Sequence, residues 1–365
     1  MSDRSFRVGV VGTGWGALVH VPAYRIVEGF EVAAICGRTP SRLETVSERL
    51  GITDTSTDWT SFVQRDDLDL ISVATPVELH RDVALAALAA GKHVVCEKPL
   101  GLSSAETAEM ADAAEASDRA TATCFELRWK PDRLRIRDLV REGGLGTPYF
   151  CRLTHSYDYW HPSRGLQSEW MYDLSLGGGY LAGLVSHDID WVVDMFGRPV
   201  QVCADVRTTI PSRETADGRT LDVTADDTSI LLLRMESGAL VELSATTMGA
   251  HTAGWQFEAM GSEGTVTASA IGRRSVPTVR FGRVGDDGLQ DIGLAERRPR
   301  SNPNLPDRGA SGQIAAMALL LEEWQPALSG GVSSAPTFRD GHVVQQVMEA
   351  ARASSAGAGW VTLAG

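Results

Sequence analysis

The chain has 365 residues, 43% apolar and 22% charged, the make-up of a water-soluble protein with about two domains of roughly 100–200 residues each. A formal net charge of -13 argues against nucleic acid or an anionic membrane surface as partner, because both reward basic patches. No apolar run reaches the roughly 18 residues of a membrane-spanning helix. The start, Met1-Ser2-Asp3-Arg4-Ser5, has no apolar signal core. The five cysteines, Cys36, Cys96, Cys124, Cys151 and Cys203, form no CxxC pair, so the expectation is a cytoplasmic protein with reduced, buried thiols and no metal site.

Phe6–Val11 is a short β-rich run. It leads into Gly12-Thr13-Gly14-Trp15-Gly16-Ala17 and a helix-compatible segment to about Val27. This is G-x-G-x-x-A opening a helix after a strand. Gly12 permits the tight turn, Gly14 lets the backbone approach a pyrophosphate, and Ala17 is small enough for helix–strand packing. The helix N-terminus supplies the anion site.

The second strand, Glu31–Cys36, ends in Gly37-Arg38-Thr39-Pro40-Ser41-Arg42. A NAD site places an acid here for the ribose 2′-OH. This chain has none, but two arginines, and a guanidinium pairs with a 2′-phosphate. NADP is therefore expected over NAD, with Gly37, Arg38, Thr39 and Arg42 at the ribose. The alternative is that Arg38 and Arg42 are solvated residues opening the next helix.

The third strand, Asp69–Ala74, ends in Thr75-Pro76, and a helix follows from about His80 to Ala90 with Gly91 as C-cap. His93–Cys96 then runs into Glu97-Lys98-Pro99, where Pro99 stops the strand. Lys98 falls at the carboxyl end of that strand, the side of an open parallel sheet where ligands bind. Ser103-x-x-Glu106 reads as a capping box for a helix to about Ala116, and Ala120–Phe125 as a further strand. Strands and helices alternate, so residues 1–125 are expected to form an α/β, doubly wound Rossmann domain.

Residues 126–365 read as an α+β domain. A helical segment, Pro131–Glu142, precedes the strand Pro148–Tyr157 and a helix near residue 190. Then come β-rich runs at Val200–Arg207, Thr228–Met235, Ala239–Thr247, Gln256–Met260, Thr265–Ala268 and Thr278–Phe281. Gly238 and Ser262-Glu263-Gly264 mark hairpin turns, which predicts a large mixed or antiparallel sheet. Ser301–Arg308 reads as a surface loop, Ala310–Gln325 as a helix, and the helix at 338–354 as packing back on the sheet.

Together, these segments resemble the Gfo/Idh/MocA family of NAD(P)-dependent sugar and cyclitol oxidoreductases. The carriers are Gly12-x-Gly14-x-x-Ala17, Ala74-Thr75-Pro76-x-x-x-His80, Ala90-Gly91-Lys92-His93-Val94-Val95-Cys96-Glu97-Lys98-Pro99, and Gly177-Gly178-Gly179-x-Leu181 followed by Ser186-His187-x-x-Asp190. The resemblance implies a homodimer or homotetramer formed through the face of the second sheet. It also implies a dinucleotide site that takes in Ala74, Thr75, Pro76, His80, Glu97 and Lys98, with Lys98 near the reacting carbon. Many members carry Asp-x-x-x-His; the aspartate position here is Gly183.

Lys98 is the group expected to protonate or polarise an alkoxide as hydride moves. His187 exchanges protons near neutral pH with little perturbation; the competing reading is a satisfied core histidine. Asp190, one turn on, reads first as a structural cap or pair, and as the group that sets the His187 tautomer in the alternative. His155-Ser156-Tyr157-Asp158-Tyr159-Trp160-His161 has the composition of a sugar-binding edge, through Tyr157, Tyr159 and Trp160. Trp170 and Asp173 resemble a family Trp-x-x-Asp pattern. Arg128, beside Glu126, and Tyr180, a spare acid–base group, complete the substrate candidates. The expected reaction is hydride transfer between NADP(H) and a secondary alcohol or ketone of a sugar, glycoside or cyclitol. Redox-neutral glycoside cleavage through transient oxidation, a non-catalytic dinucleotide-binding regulator, and a reductase of imines or open-chain substrates are the rivals.

Overall fold

The structure is a computed structural model that describes residues 5–272, 275–302 and 309–363. Of the loop expected at Ser301–Arg308, residues 303–308 lie outside the described residues, as do Met1–Arg4. The chain forms two compact units. One is Met1–Lys130 with Arg297–His342; the other is Pro131–Glu296 with Val343–Gly365.

Among the described residues, the first unit holds a six-stranded parallel sheet: β1 Phe6–Val11, β2 Phe30–Cys36, β3 Thr55–Ser56, β4 Leu70–Val73, β5 His93–Cys96 and β6 Thr121–Thr123. The order is β3-β2-β1-β4-β5-β6, so the connection reverses direction between β1 and β4, the point where doubly wound sheets bind nucleotides. Every residue of β4 and β5 is buried, as expected of strands covered on both faces.

Helices Pro40–Leu50, His80–Ala89 and Ser104–Ala116 connect the strands. Ser103 caps the last, its Oγ accepting from the Glu106 amide at 3.2 Å, while Glu106 Oε2 accepts from the Leu102 amide at 2.8 Å. This is the predicted capping box, with the glutamate reaching one residue further back than usual. The late helix Gly309–Trp324 packs on the turn Glu126–Trp129. It brings the buried Trp324, whose Nε1 donates to the Thr121 carbonyl at 3.1 Å.

The second unit holds a nine-stranded mixed sheet: β7 Pro148–Ser156, β8 Pro199–Arg207, β11 Thr228–Met235, β12 Leu240–Thr246, β13 Gly254–Gly261, β14 Gly264–Ala270, β15 Thr278–Arg283, β16 Gln290–Asp291 and β17 Val361–Thr362, with β9 Ser212–Glu214 and β10 Thr220–Asp222 forming a separate ribbon. The order is β16-β15-β14-β13-β7-β12-β11-β8-β17. Among the described residues of this sheet, only β7 and β12 pair in parallel.

Side chains alternate across this sheet, as a half-covered face demands. Leu231, Leu243, Phe257 and Val266 are buried, while Arg152 and Glu242 point outward and pair at 2.9 Å. Helix Ser186–Phe196 lies on the buried face, with Trp191 4.9 Å from Phe257. The division between units falls inside the helix Phe338–Ala353. Just past its end, Ser354 Oγ accepts from the Ala204 amide of β8 at 2.8 Å. No described helix is long and apolar enough to cross a membrane.

Candidate active site

In the first unit the Gly-rich turn sits directly after β1. Gly12 has φ +131°, and a Cβ there would lie 2.1 Å from the Ala74 carbonyl oxygen. Its amide donates to the Cys36 carbonyl at 2.9 Å, which ties the turn to the ends of β2 and β4 together. At Gly14 the one atom a Cβ would approach is the Arg42 guanidinium, at 3.5 Å. The loop is otherwise open there, and the arginine stands beside it. A Cβ at Gly37 would strike the Thr13 methyl at 2.3 Å. Gly16 and Ala17 are buried, whereas Trp15 is 38% exposed. Arg38 and Thr39 are both exposed at the end of β2, and Thr39 precedes the next helix without capping it through its side chain.

Helix formation after the loop begins with a π turn, Gly16–His20. It turns His20 fully inward. His20 Nε2 lies 2.9 Å from Glu97 Oε1, and Nδ1 lies 2.8 Å from Ser72 Oγ. Glu97 Oε2 accepts from the Lys98 amide at 3.1 Å. Lys98 is partly exposed, and its peptide to Pro99 is cis. His80 bridges the two neighbouring strand ends, with Nε2 3.0 Å from the Thr75 carbonyl oxygen and Nδ1 3.0 Å from that of Pro99. Burial pushes the His80 pKa down against the pull of those carbonyls. Ala74 is buried beside Thr75 and Pro76.

Two carboxyls near Lys98 take opposite states. Burial raises the Glu97 pKa, but the hydrogen bond and charge of His20, with Lys98 and His80, hold it below the ordinary carboxylate range. Glu126 is pushed up to about 8 by burial and by the charge of Glu97, and its Oε2 is buried without a hydrogen-bond partner. His20, Glu97 and Cys124 bring ligand-capable atoms within 4.8 Å of one another, although His20 and Glu97 are already bonded to each other. Arg128 Nη2 lies 3.9 Å from Asp340 Oδ1.

In the second unit the three glycines serve the approach to His187. Gly177 and Gly179 have φ +79° and +109°. A Cβ at Gly178 would lie 2.6–2.7 Å from the carbonyl oxygens of Asp173, Met171 and Trp170. Asp226, buried, then takes over. Its backbone carbonyl accepts from the Tyr180 amide at 2.9 Å and its Oδ2 from the Leu181 amide at 2.7 Å. Those bonds start the π turn Leu181–Val185, which runs into helix Ser186–Phe196.

His187 and Asp190 are buried on that helix, and Asp194 pairs with Arg141 at 2.9 Å. Asp188 is buried too, with Arg133 Nη2 2.6 Å from Oδ1 and His155 Nδ1 3.8 Å from Oδ2. Gly183 is exposed, and a Cβ there would meet nothing within 4 Å.

The aromatic candidates form a continuous strip. Tyr157 and Tyr159 have ring centroids 5.1 Å apart, Tyr159 and Tyr180 6.4 Å, Trp160 and Tyr180 6.1 Å, and Trp160 and Tyr172 5.0 Å. Burial, then Tyr159, pushes the Tyr157 hydroxyl up to about 12. Trp170 is 47% exposed. Asp173 is engaged locally, accepting from the Ser175 amide at 2.8 Å and hydroxyl at 2.7 Å, a turn cap rather than an open acid.

Sequence reasoning passed over His20, Asp188 and Asp226. The run Ser186-His-Asp-Ile-Asp-Trp-Val-Val-Asp did carry a signal, because acids in so apolar a helix must be partnered. His20 and Asp226 carried none, since their partners are distant in the chain.

A parallel sheet with a Gly-rich turn after β1, followed by a second, mixed-sheet unit, is the architecture of a two-unit dinucleotide-binding protein. The chain belongs to the Gfo/Idh/MocA family. Residues 6–124 match the oxidoreductase family model with an NAD-binding Rossmann fold, and residues 134–267 match the GFO/IDH/MocA C-terminal domain. Levoglucosan dehydrogenase of Pseudarthrobacter phenanthrenivorans is 26% identical over 385 residues, covering 98% of each chain. Myo-inositol 2-dehydrogenase of Thermotoga maritima is 26% identical over 283 residues, covering 77% of this chain and 80% of that one. A solved structure of levoglucosan dehydrogenase in complex with NADH superposes with a TM-score of 0.87 at 25% identity, covering 99% of this chain and all of that one.

Proposed function

We propose that this protein transfers hydride between a nicotinamide dinucleotide and a secondary alcohol or ketone of a sugar, glycoside or cyclitol. The observation that carries the reading is Lys98. It stands at the carboxyl end of β5, in the sheet that carries the Gly-rich turn, with its amide held by a buried glutamate. The names of the relatives, two of them sugar or inositol dehydrogenases, point the same way.

The residues present fit a dinucleotide. Gly14 leaves the loop open for a close approach, and the helix beyond it directs its first amides at an anion. Gly12, Thr13, Gly14, Trp15, Gly16 and Ala17 would hold the pyrophosphate. Gly37, Arg38, Thr39 and Arg42 would hold the ribose, and Ala74, Thr75, Pro76, His80 and Glu97 would line the remainder. The bound nicotinamide supplies the hydride acceptor or donor.

The chain's own work is proton transfer and orientation. Lys98 takes the hydroxyl proton as the alcohol is oxidised, or returns it when a ketone is reduced. His187 is the second proton-transfer group. Tyr157 and Tyr159, half-buried, offer ring faces to the C–H face of a cyclic substrate and hydroxyls to its oxygens, with the buried Trp160 and Tyr180 packed behind them. Arg128 and Trp170 complete the binding candidates, with Asp173 in reserve as a cap of the turn beside Trp170.

NADP is proposed as the preferred cofactor, because residues 37–42 hold two arginines and no acid, although the solved relative carries NADH. On this reading Arg38→Ala lowers kcat/KM for NADP by roughly 10–100-fold while moving NAD by less than about threefold, as loss of a charge-assisted contact to the 2′-phosphate requires. Equal losses with both cofactors contradict it. The function itself is tested by following reduced-nicotinamide absorbance with NADP or NAD against pyranoses, glycosides and inositols. Turnover of a cyclic polyol supports it. Tight NADPH binding with no turnover across the panel overturns it.

A further inference from the structure

A buried polar chain lies behind Lys98, and the proposed reaction does not use it. His20 has no exposed surface. Its Nε2 meets Glu97 at 2.9 Å and its Nδ1 meets Ser72 at 2.8 Å. An ionised carboxylate only accepts, so Nε2 carries the hydrogen of the bond to Glu97. The second Glu97 oxygen accepts from the Lys98 amide at 3.1 Å. One uninterrupted set of bonds thus runs from the helix behind the Gly-rich loop to the backbone of Lys98.

We propose that His20 is a positioning residue for Lys98, acting through Glu97. The proposal rests on the reading of Lys98 as a proton-transfer group. Glu97 is buried, and a buried carboxylate that loses its partner is costly and tends to take up a proton. A neutral Glu97 holds the Lys98 amide less strongly, because the charge-assisted bond is the stronger one. It also withdraws a negative charge from beside the ammonium. The groups that face Glu97 are His20, Lys98 and His80, with Cys96, Cys124 and Glu126. Among them His20 is hydrogen-bonded to its Oε1 at 2.9 Å, and the Cys124 thiol also bonds the carboxylate.

The test compares His20→Leu, which removes the bond, with His20→Gln, which keeps a donor. Kinetic and chemical readouts are taken on the full-length protein. In His20→Leu, kcat should fall roughly 10–100-fold, part of the roughly 10²–10⁴-fold that a positioned acid–base group supplies, and the acid limb of its pH profile should shift. NADPH affinity, read by fluorescence, should change by less than about threefold, since uniform binding is untouched. His20→Gln should recover most of the loss.

Labelling of the Lys98 ε-amine by acetic anhydride, read by mass spectrometry, needs no turnover. Its rate should change in His20→Leu and revert in His20→Gln. Ser72→Ala, which removes only the far contact, gives a smaller change of the same sign and serves if His20→Leu does not fold. Unaltered Lys98 labelling, or a kcat loss that Gln does not rescue and that leaves the pH profile in place, overturns the proposal. Altered labelling with no wild-type turnover instead keeps the proposal and sinks the functional reading.

Discussion

Glu126 shows how a single buried acid leaves a signature in the stability of the whole unit. Its carboxyl is held neutral by burial and by Glu97, with a pKa pushed up to about 8, against about 4.3 in an unfolded chain. A raised folded-state pKa gives a contribution present in full below the unfolded value and lost as pH rises through the folded one. The stability of wild type relative to Glu126→Gln should therefore decline between about pH 4.3 and 8 and level off above. Thermal melts of both proteins across that range check it, and a difference that stays flat with pH contradicts it. In the sequence Glu126 was only a neighbour of Arg128. Nothing local marks an acid as buried, because its environment comes from β5 and from the late helix Gly309–Trp324.

Single glycines decide the elements that carry the site. At Gly178 three carbonyl oxygens occupy the place of a Cβ, so Gly178→Ala must displace backbone. It should cost about 2–4 kcal/mol, as backbone strain at a packed site does, and lower kcat through the His187 segment. Gly183→Asp restores the acid of the family pattern. A Cβ there meets nothing, so melting should place it within about 0.5 kcal/mol of wild type. If Gly183→Asp is the more damaging of the two, the placement of these glycines is wrong. The Gly-rich turn, the strand ends at Pro76 and Pro99, and the hairpin at Gly238 were legible because each depends on residues adjacent in the chain. The π turns at Gly16–His20 and Leu181–Val185 were not, since no short pattern separates them from an α-helix. They change which residues face inward, so the four-residue spacing of Gly183 and His187 does not put them on one face as it would in an unbroken α-helix.

Over the whole molecule, the alternation of strands and helices was enough to read a doubly wound sheet, and the succession of β-rich runs enough to read a mixed one. The return of residues 297–342 to the first unit was not legible. It rests on contacts such as Trp324 with Thr121, more than 200 residues apart in the chain. The acid missing after β2 could be read directly, whereas the nearness of Arg42 to Gly14 needed the fold. The claim most exposed to test is that Lys98 is the proton-transfer group of a nicotinamide-dependent oxidoreductase. The deciding measurement is kcat for Lys98→Met beside wild type on the best polyol of the panel, with NADPH affinity measured on both. A loss of about 10²–10⁴-fold in kcat, the share of a positioned acid–base group, with affinity changed less than about fivefold, is the predicted result. A variant that turns over within a few-fold of wild type contradicts it.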